Sequence, residues 1–322
     1  MLLDNLLLCY NKVKEVIKLN LKDDEGHKLT DGILSSLEDN LIDVYNSCYD
    51  DTLKKIRQLE NIIEKYDDSM TLAEKEKLWK EKDTLNNLLD SLSKDIQEVN
   101  KTAINMINGE LLNVYDTNYR YGNYFMEQES GYVLDFRLYN QGALKSLLMD
   151  YETTFSKIAI NTLEDKRRLR KALRKEFAQA IRLGESIEEI AERVKKVVGK
   201  NRNDSIRIAR TETTRVESLG REDSFKQGEK MGLKLKKVWI STADKRTRDS
   251  HLILNGKAVD MESKFDNGLK FPGDQVGRPE EVINCRCTHV VEIQGVKKYA
   301  NLEELEEELK DLTFKEWERR RL

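Results

Sequence analysis

The residues with chemistry to offer lie between Arg210 and Cys287, and they come in short, spaced groups. Asp244-x-Arg246-x-Arg248-x-x-His251 sets a carboxylate, two guanidiniums and an imidazole close together, and Ile283-Asn284-Cys285-Arg286-Cys287 places two thiols one residue apart. A histidine with an aspartate nearby can shuttle protons. No serine or cysteine in a nucleophile-elbow setting accompanies this one, so no catalytic residue is expected. Cys285, Cys287, His251 and His289 together invite zinc, which takes cysteine and histidine ligands. At a strand rise of about 3.3 Å per residue, Cys285 and His289 would stand about 13 Å apart, too far for one ion. The candidate metal ligands are therefore His251, Cys287 and Asp244. The competing reading packs the cysteines as small hydrophobes, with Asn284 and Arg286 fixing a turn, and on that reading no cofactor is needed.

Arg210 and Glu212, in Ala209-Arg210-Thr211-Glu212, fall near the middle of a helix read from Asp204 to Lys230. At 100° per residue they flank its buried seam of Ile206, Ala209, Thr213, Val216 and Gly220. Arg–carboxylate pairing there would pin the helix to a neighbouring sheet. One polar network is expected, made of Arg210, Glu212, Asp244, Arg248, His251 and Arg286. The alternative is an enzyme in which Arg210, Glu212, Asp244, His251 and Cys287 converge on a pocket. The chain has no glycine-rich phosphate loop, no His-Glu-x-x-His and no Walker lysine. No enzyme is expected from these motifs.

The elements that must position these groups are mostly helical. Pro272 and Pro279 are the only prolines, and the absence of proline from the first 271 residues permits a nearly all-helical region there. Charged residues make up 36% and hydrophobic ones 39%, at a mean hydropathy of −0.68, which suits long exposed helices. Residues 1–50 read as two helices around the polar run Lys22 to Gly26, the second with a stripe of Leu34, Leu37, Leu41, Val44 and Cys48. Ile56, Leu59, Ile63, Tyr66 and Met70 form a further stripe. Thr71-x-x-Glu74 has the form of a capping box, and Leu85, Leu89, Leu92, Ile96, Val99, Ala103 and Met106 keep heptad spacing. These predict an antiparallel hairpin over Asp51 to Met106 with a coiled-coil seam. Asn108 to Asn140, rich in Tyr and Gly, reads as a loop or small packed insert, its tyrosines there for packing or a protein contact rather than base stacking.

A long helix is expected from Ala143 to Leu183, with Tyr151, Phe155 and Ile158, then Leu169, Leu173, Phe177 and Ala180, along its apolar face. Gly184 stops it, and Ser186-x-x-Glu189 caps another helix to about Val198. After Gly232 the period changes: Leu233, Leu235 and Val238-Trp239-Ile240 predict one strand, and Thr288 to Ile293 a second. Asn301 to Arg321 reads as a charged docking helix with Leu302, Leu305, Leu309 and Leu312 on one face. The fold class expected is α+β and mostly α-helical: a helical hairpin arm over 1–140, a small α+β region within 141–295 and a charged tail over 296–322.

Charge is unevenly spread. Residues 1–140 carry 17 basic and 27 acidic side chains, residues 141–250 carry 27 and 17, and residues 251–322 carry 12 and 15, for a net charge of −3. The basic face Lys166, Arg167, Arg168, Arg170, Lys171, Arg174 and Lys175 is the candidate surface for an anionic partner, DNA or protein, unless it is only a solvated face. No run of 18 apolar residues is present, so no membrane partner is expected. The first residues lack a basic n-region, which argues against a signal peptide, and four cysteines, two of them a residue apart, read as reduced thiols.

The ordered set of Ala209 to Glu212, Trp239, Asp244 to His251, Leu254-Asn255-Gly256, Phe271-Pro272 and Ile283 to Cys287 resembles the Mu F-type minor head proteins of tailed bacteriophages, over roughly Ala143 to Ile293. The resemblance implies a Mu F-type domain over 141–295 and a minor capsid or head-morphogenesis protein inside the virion, present in the host cytoplasm during assembly. It also implies association with the portal protein and with capsid or scaffold proteins, a part in procapsid assembly and DNA delivery, and contact with phage DNA as a further partner.

Overall fold

The computed structural model describes residues 24–59, 69–71, 73–74, 77, 83–136, 154–242, 244–298 and 300–322. The first helix expected in 1–50, Ile63 and Tyr66 of the expected stripe, Tyr139, and residues 143–153 with Tyr151 lie outside them. The fold is mostly helical with one three-stranded sheet, as the sequence predicts. The chain divides into two compact units, one formed by residues 1–35, 108–155 and 210–322, the other by 36–107 and 156–209.

In the second unit, α1 (Glu25–Arg57) lies antiparallel to α2 (Thr84–Ser130): Lys55 bonds Ser91 and Asp95, while Tyr45, ten residues back, bonds Asn100 at 2.6 Å. Leu37, Leu41, Cys48, Leu89, Leu92, Ile96 and Ala103 from the expected stripes are buried. The capping box at Thr71 and Glu74 is present, with Thr71 N donating to Glu74 Oε2 at 2.8 Å and Glu74 N to Thr71 Oγ1 at 3.4 Å. The helix expected from Ala143 to Leu183 is interrupted instead. α3 (Thr154–Glu164) ends where Asp165 turns extended and accepts the N–H groups of Arg167 and Arg168, starting α4 (Lys166–Leu183) as its N-cap. Gly184 ends α4 at φ 66°, and the Ser186–Glu189 box opens the next helix, as the sequence indicates. That helix, α5 (Ile187–Met231), does not stop at Val198 but absorbs the one expected from Asp204. Residues 199–203, left between the two expected helices, are continuous helix. Asn201 is in fact buried, accepting from Asn100 Nδ2 at 3.2 Å and donating to Val197 O at 2.7 Å.

In the first unit, the Tyr-rich segment is no loop: α2 runs on through it to Ser130. Tyr115 and Tyr119, one turn apart, stack at 6.1 Å, and tertiary burial outweighs the weak local propensity. Gly220 of α5 crosses α2 so closely that a Cβ would lie 2.6 Å from Tyr115 O. β1 (Leu233–Ile240) is the central strand between β2 (Ala258–Asp260) and β3 (Thr288–Val296), antiparallel to both, with Trp239 opposite His289. Val238, Ile240 and Val290 pack toward Phe125 of α2, while Trp239 packs with Leu254, Phe265, Leu269, Val282, Cys285 and Cys287. Two one-turn helices, α6 (Asp249–Leu252) and α7 (Pro279–Val282), lie in the chain between the strands.

The tail is not the single helix expected. Residues 303–305 bridge to 131–133, a 3-10 turn follows at Glu307–Leu309, and only α8 (Phe314–Arg321) is α-helical. Its anchors are aromatic: Phe314 and Trp317 bury against Tyr121 and Tyr124, and Trp317 Nε1 donates to Glu127 at 2.5 Å.

Candidate functional site

α6 and the loop before β3 bring His251, Cys285 and Cys287 together. Arg248 is the extended N-cap residue of α6, and its guanidinium donates to Ile283 O, tying the short helix to that loop. His251 Nδ1 lies 3.5 Å from Cys285 Sγ and 3.4 Å from Cys287 Sγ. The other edge of the ring, Nε2, meets Glu281 Oε2 at 2.9 Å, and Ser250 Oγ donates to the same carboxylate oxygen at 3.0 Å. All three residues of the cluster are buried, and Trp239 meets the His251 ring edge-on at 5.0 Å. Hydrogen bonding from Cys285 lowers the Cys287 thiol to about 5, helped by His251, and the same bond with burial holds Cys285 well above its ordinary range. The imidazole and the two sulfurs are the one His/Cys/Asp/Glu group among the described residues whose geometry could hold a metal ion.

Asp244 is not in that group. Its carboxylate takes a bidentate pair from Arg286 at 2.6 and 2.7 Å, which holds it well below the usual carboxylate range. It also accepts the N–H of Arg246 at 2.9 Å and the hydroxyl of Thr247, closing a turn rather than capping α6. The Arg246 side chain is exposed. Asn284 sits at φ 55°, which asparagine tolerates, and donates its N–H to Thr211 Oγ1 of α5 at 3.2 Å. Beside it, Thr214 Oγ1 donates to Cys285 O at 2.5 Å. The expected network residues make the following contacts. Asp244 pairs with Arg286, His251 with Glu281, Arg248 with a carbonyl, and buried Glu212 with Arg215 on its own helix at 2.6 Å. Arg210 is half-buried at the start of this stretch.

The seam that joins α5 to the sheet lies further along and was missed from sequence. From Thr211 to Ser218 every residue of α5 is buried, so the helix is enclosed on all sides. Arg221 makes two bonds to Asp24, at 2.7 and 2.8 Å, and donates to Asn118 at 2.9 Å and to His289 O at 3.1 Å. Glu217 faces His27 Nδ1 at 2.8 Å, and Glu222 faces His289 Nε2 at 3.1 Å with Lys237 at 3.7 Å. Burial alone would raise both Asp24 and Glu217; Arg221 and His27 more than reverse it, and both carboxyls are lowered. Burial opposes the charge on His27 as well, but Glu217 overcomes it and raises the ring to about 9. Burial holds His289 and Lys237 below their ordinary ranges. The signal in the sequence was the i, i+4 pair Glu217 and Arg221. Its partners stand almost 200 residues away, which spacing cannot reveal.

The basic helix is α4. Leu169, Leu173, Phe177, Ala180 and Ile181 bury one face. Arg170 is turned to Asp90 at 2.6 Å and Arg174 to Asn86 at 2.9 Å, both on α2. Lys166, Arg167, Arg168, Lys171 and Lys175 are exposed. A groove of about 320 Å³ beside them is lined by Arg168, Lys175, Lys196 and Lys200, with Glu176 and Asp204. No helix among the described residues is long and apolar enough to cross a membrane.

Residues 171–290 match the family described as Phage Mu protein F like protein. The chain is 26% identical over 311 residues to the minor head protein GP7 of Bacillus phage SPP1, covering 92% of this chain and 97% of that one. It is also 31% identical over 137 residues to the NAD(+)–arginine ADP-ribosyltransferase EFV of Enterococcus faecalis, a stretch that is 42% of this chain and 28% of that enzyme. No solved structure gives a significant match. The enzyme match, with a His/Cys/Cys cluster able to coordinate a metal, overturns the expectation that the chain is not an enzyme and points to catalytic capacity.

Proposed function

We propose, for a chain that belongs to the phage minor head, or head-morphogenesis, family of Mu F-like proteins, that it works inside the phage head beside the portal, aiding procapsid assembly and DNA packaging or delivery. One observation carries this reading. The likeness to a minor head protein runs almost end to end through both chains, whereas the likeness to the enzyme covers 28% of that protein. The helical arm is thus shared with a head protein as well as the Mu F-like segment. The exposed basic face of α4 supports a contact with an anionic partner, either an acidic protein surface or DNA. The test is co-purification of the portal protein from the same genome, with and without nuclease. Capture that survives nuclease supports the portal contact. Capture lost with nuclease shifts the contact to DNA, and no capture in either state removes the portal from the account.

The enzyme match favours a second reading, transfer of ADP-ribose from NAD(+) to an arginine. It is tested by incubating the purified chain with NAD(+) and an arginine acceptor and measuring nicotinamide release and acceptor mass. Release that depends on the chain supports it. A folded chain without release sinks it.

A further inference from the structure

The cluster of His251, Cys285 and Cys287 is arranged in a way that thiol packing does not explain. Cysteines filling a core as small hydrophobes need no oriented imidazole. Here the ring is fixed from behind, because Glu281 takes the Nε2 edge and Ser250 donates to Glu281. With the ring proton placed on Nε2 to meet that carboxylate, Nδ1 presents its single lone pair to two sulfurs, at 3.5 and 3.4 Å. One lone pair accepts one good S–H bond, so it cannot serve both sulfurs at once. A divalent cation satisfies all three atoms together. With Zn–S near 2.3 Å and Zn–N near 2.0–2.1 Å, tetrahedral coordination sets the N···S edges at about 3.5 Å. The two observed N···S distances match that edge. A carboxylate behind a ligating histidine is the arrangement that orients the ring and raises its basicity in zinc sites.

We propose that His251 Nδ1, Cys285 Sγ and Cys287 Sγ bind one Zn²⁺, with Glu281 as the positioning residue behind the histidine. The sequence alone suggests Asp244 as a ligand beside His251 and Cys287. In the structure Arg286 holds that carboxylate, and Cys285 stands in its place. Two thiolates and an imidazole form a soft, nitrogen–sulfur donor set that favours zinc over magnesium or calcium. Binding releases the remaining thiol protons to solvent. Among the described residues the group holds these three ligand residues. The ion would also fasten α6 to the loop before β3, a link now carried by Arg248 and Ile283.

The test uses the full-length chain purified under reducing, chelator-free conditions from zinc-replete culture, with metals measured by elemental mass spectrometry and thiols counted after denaturation. The expected result is about one zinc per chain, replaceable by cobalt with thiolate-to-cobalt charge-transfer bands. Cys285→Ser and Cys287→Ser should each lose the metal, and Cys48→Ser, which changes a buried cysteine outside the cluster, should keep it. Should the cysteine variants fail to fold, Glu281→Gln carries the test: it should weaken zinc affinity by about 10–100-fold with helicity intact. Reduced wild-type protein with only trace zinc and no cobalt bands on titration would overturn the proposal. So would a Cys285–Cys287 disulfide in freshly purified protein, or zinc retained after loss of either cysteine.

Discussion

Glu281, Arg221 and His27 make buried polar contacts that the sequence reading did not name. Each acts through a partner brought close by the fold: His251 for Glu281, Asp24 for Arg221 and Glu217 for His27. What was legible were residue types whose role is local. The Asp165 cap went unread, but Gly184, the Thr71 and Ser186 boxes and the apolar stripes were found, because their partners lie within one helical turn. The buried pairs make two predictions. Arg221→Met should cost roughly 3–5 kcal/mol in chemical denaturation, because it leaves Asp24 buried without its cation; a loss under about 1 kcal/mol would show the seam to be solvated. His27 has a folded-state pKa of about 9 against 6.5 unfolded, so its contribution is complete below pH 6.5 and lost as pH rises through 9. That contribution is on the order of 3 kcal/mol. Stability should fall across that window, and His27→Gln should flatten the fall; an unchanged slope would remove His27 as its source.

At the scale of elements, periodicity found helices and strands, while polarity misplaced their ends. The Tyr-rich segment read as a loop or insert and residues 199–203 as a gap between helices, yet both 115–124 and 199–203 lie in continuous helix. The tail failed in the opposite sense: leucines at helical spacing were placed in a 3-10 turn and a bridge, with Trp317 as the anchor. Helix crossing gives a paired test on two glycines. Gly220→Ala would drive a Cβ against backbone of α2 and should cost about 1–3 kcal/mol. Gly109→Ala meets nothing within 4 Å in the same kind of helical backbone and should stabilise by roughly 0.5–1 kcal/mol. Thermal melts of the two variants should move in opposite directions; melts that move together would contradict the close crossing. In the hairpin, Leu92→Asp buries an unpaired charge at a fully enclosed site, so it should cost several kcal/mol.

For the whole molecule, the charge imbalance between the acidic arm and the basic middle is partly settled within the fold, since Arg170 meets Asp90 and Arg221 meets Asp24. Arg167, Arg168, Lys171 and Lys175 of α4 stay exposed. Reversing Arg167, Arg168, Lys171 and Lys175 to Glu should abolish capture of the anionic partner with the fold intact, since surface changes rarely cost more than about 0.5 kcal/mol each. Unchanged binding to both portal and DNA would make that face a solvated one. The central claim, that this chain is a head component, is tested most directly by mass spectrometry of gradient-purified phage heads treated with protease and nuclease before lysis. The account predicts its peptides in the head fraction together with those of the portal, protected from protease. A chain found only as free protein at the top of the gradient, or stripped from the heads by protease, would contradict it.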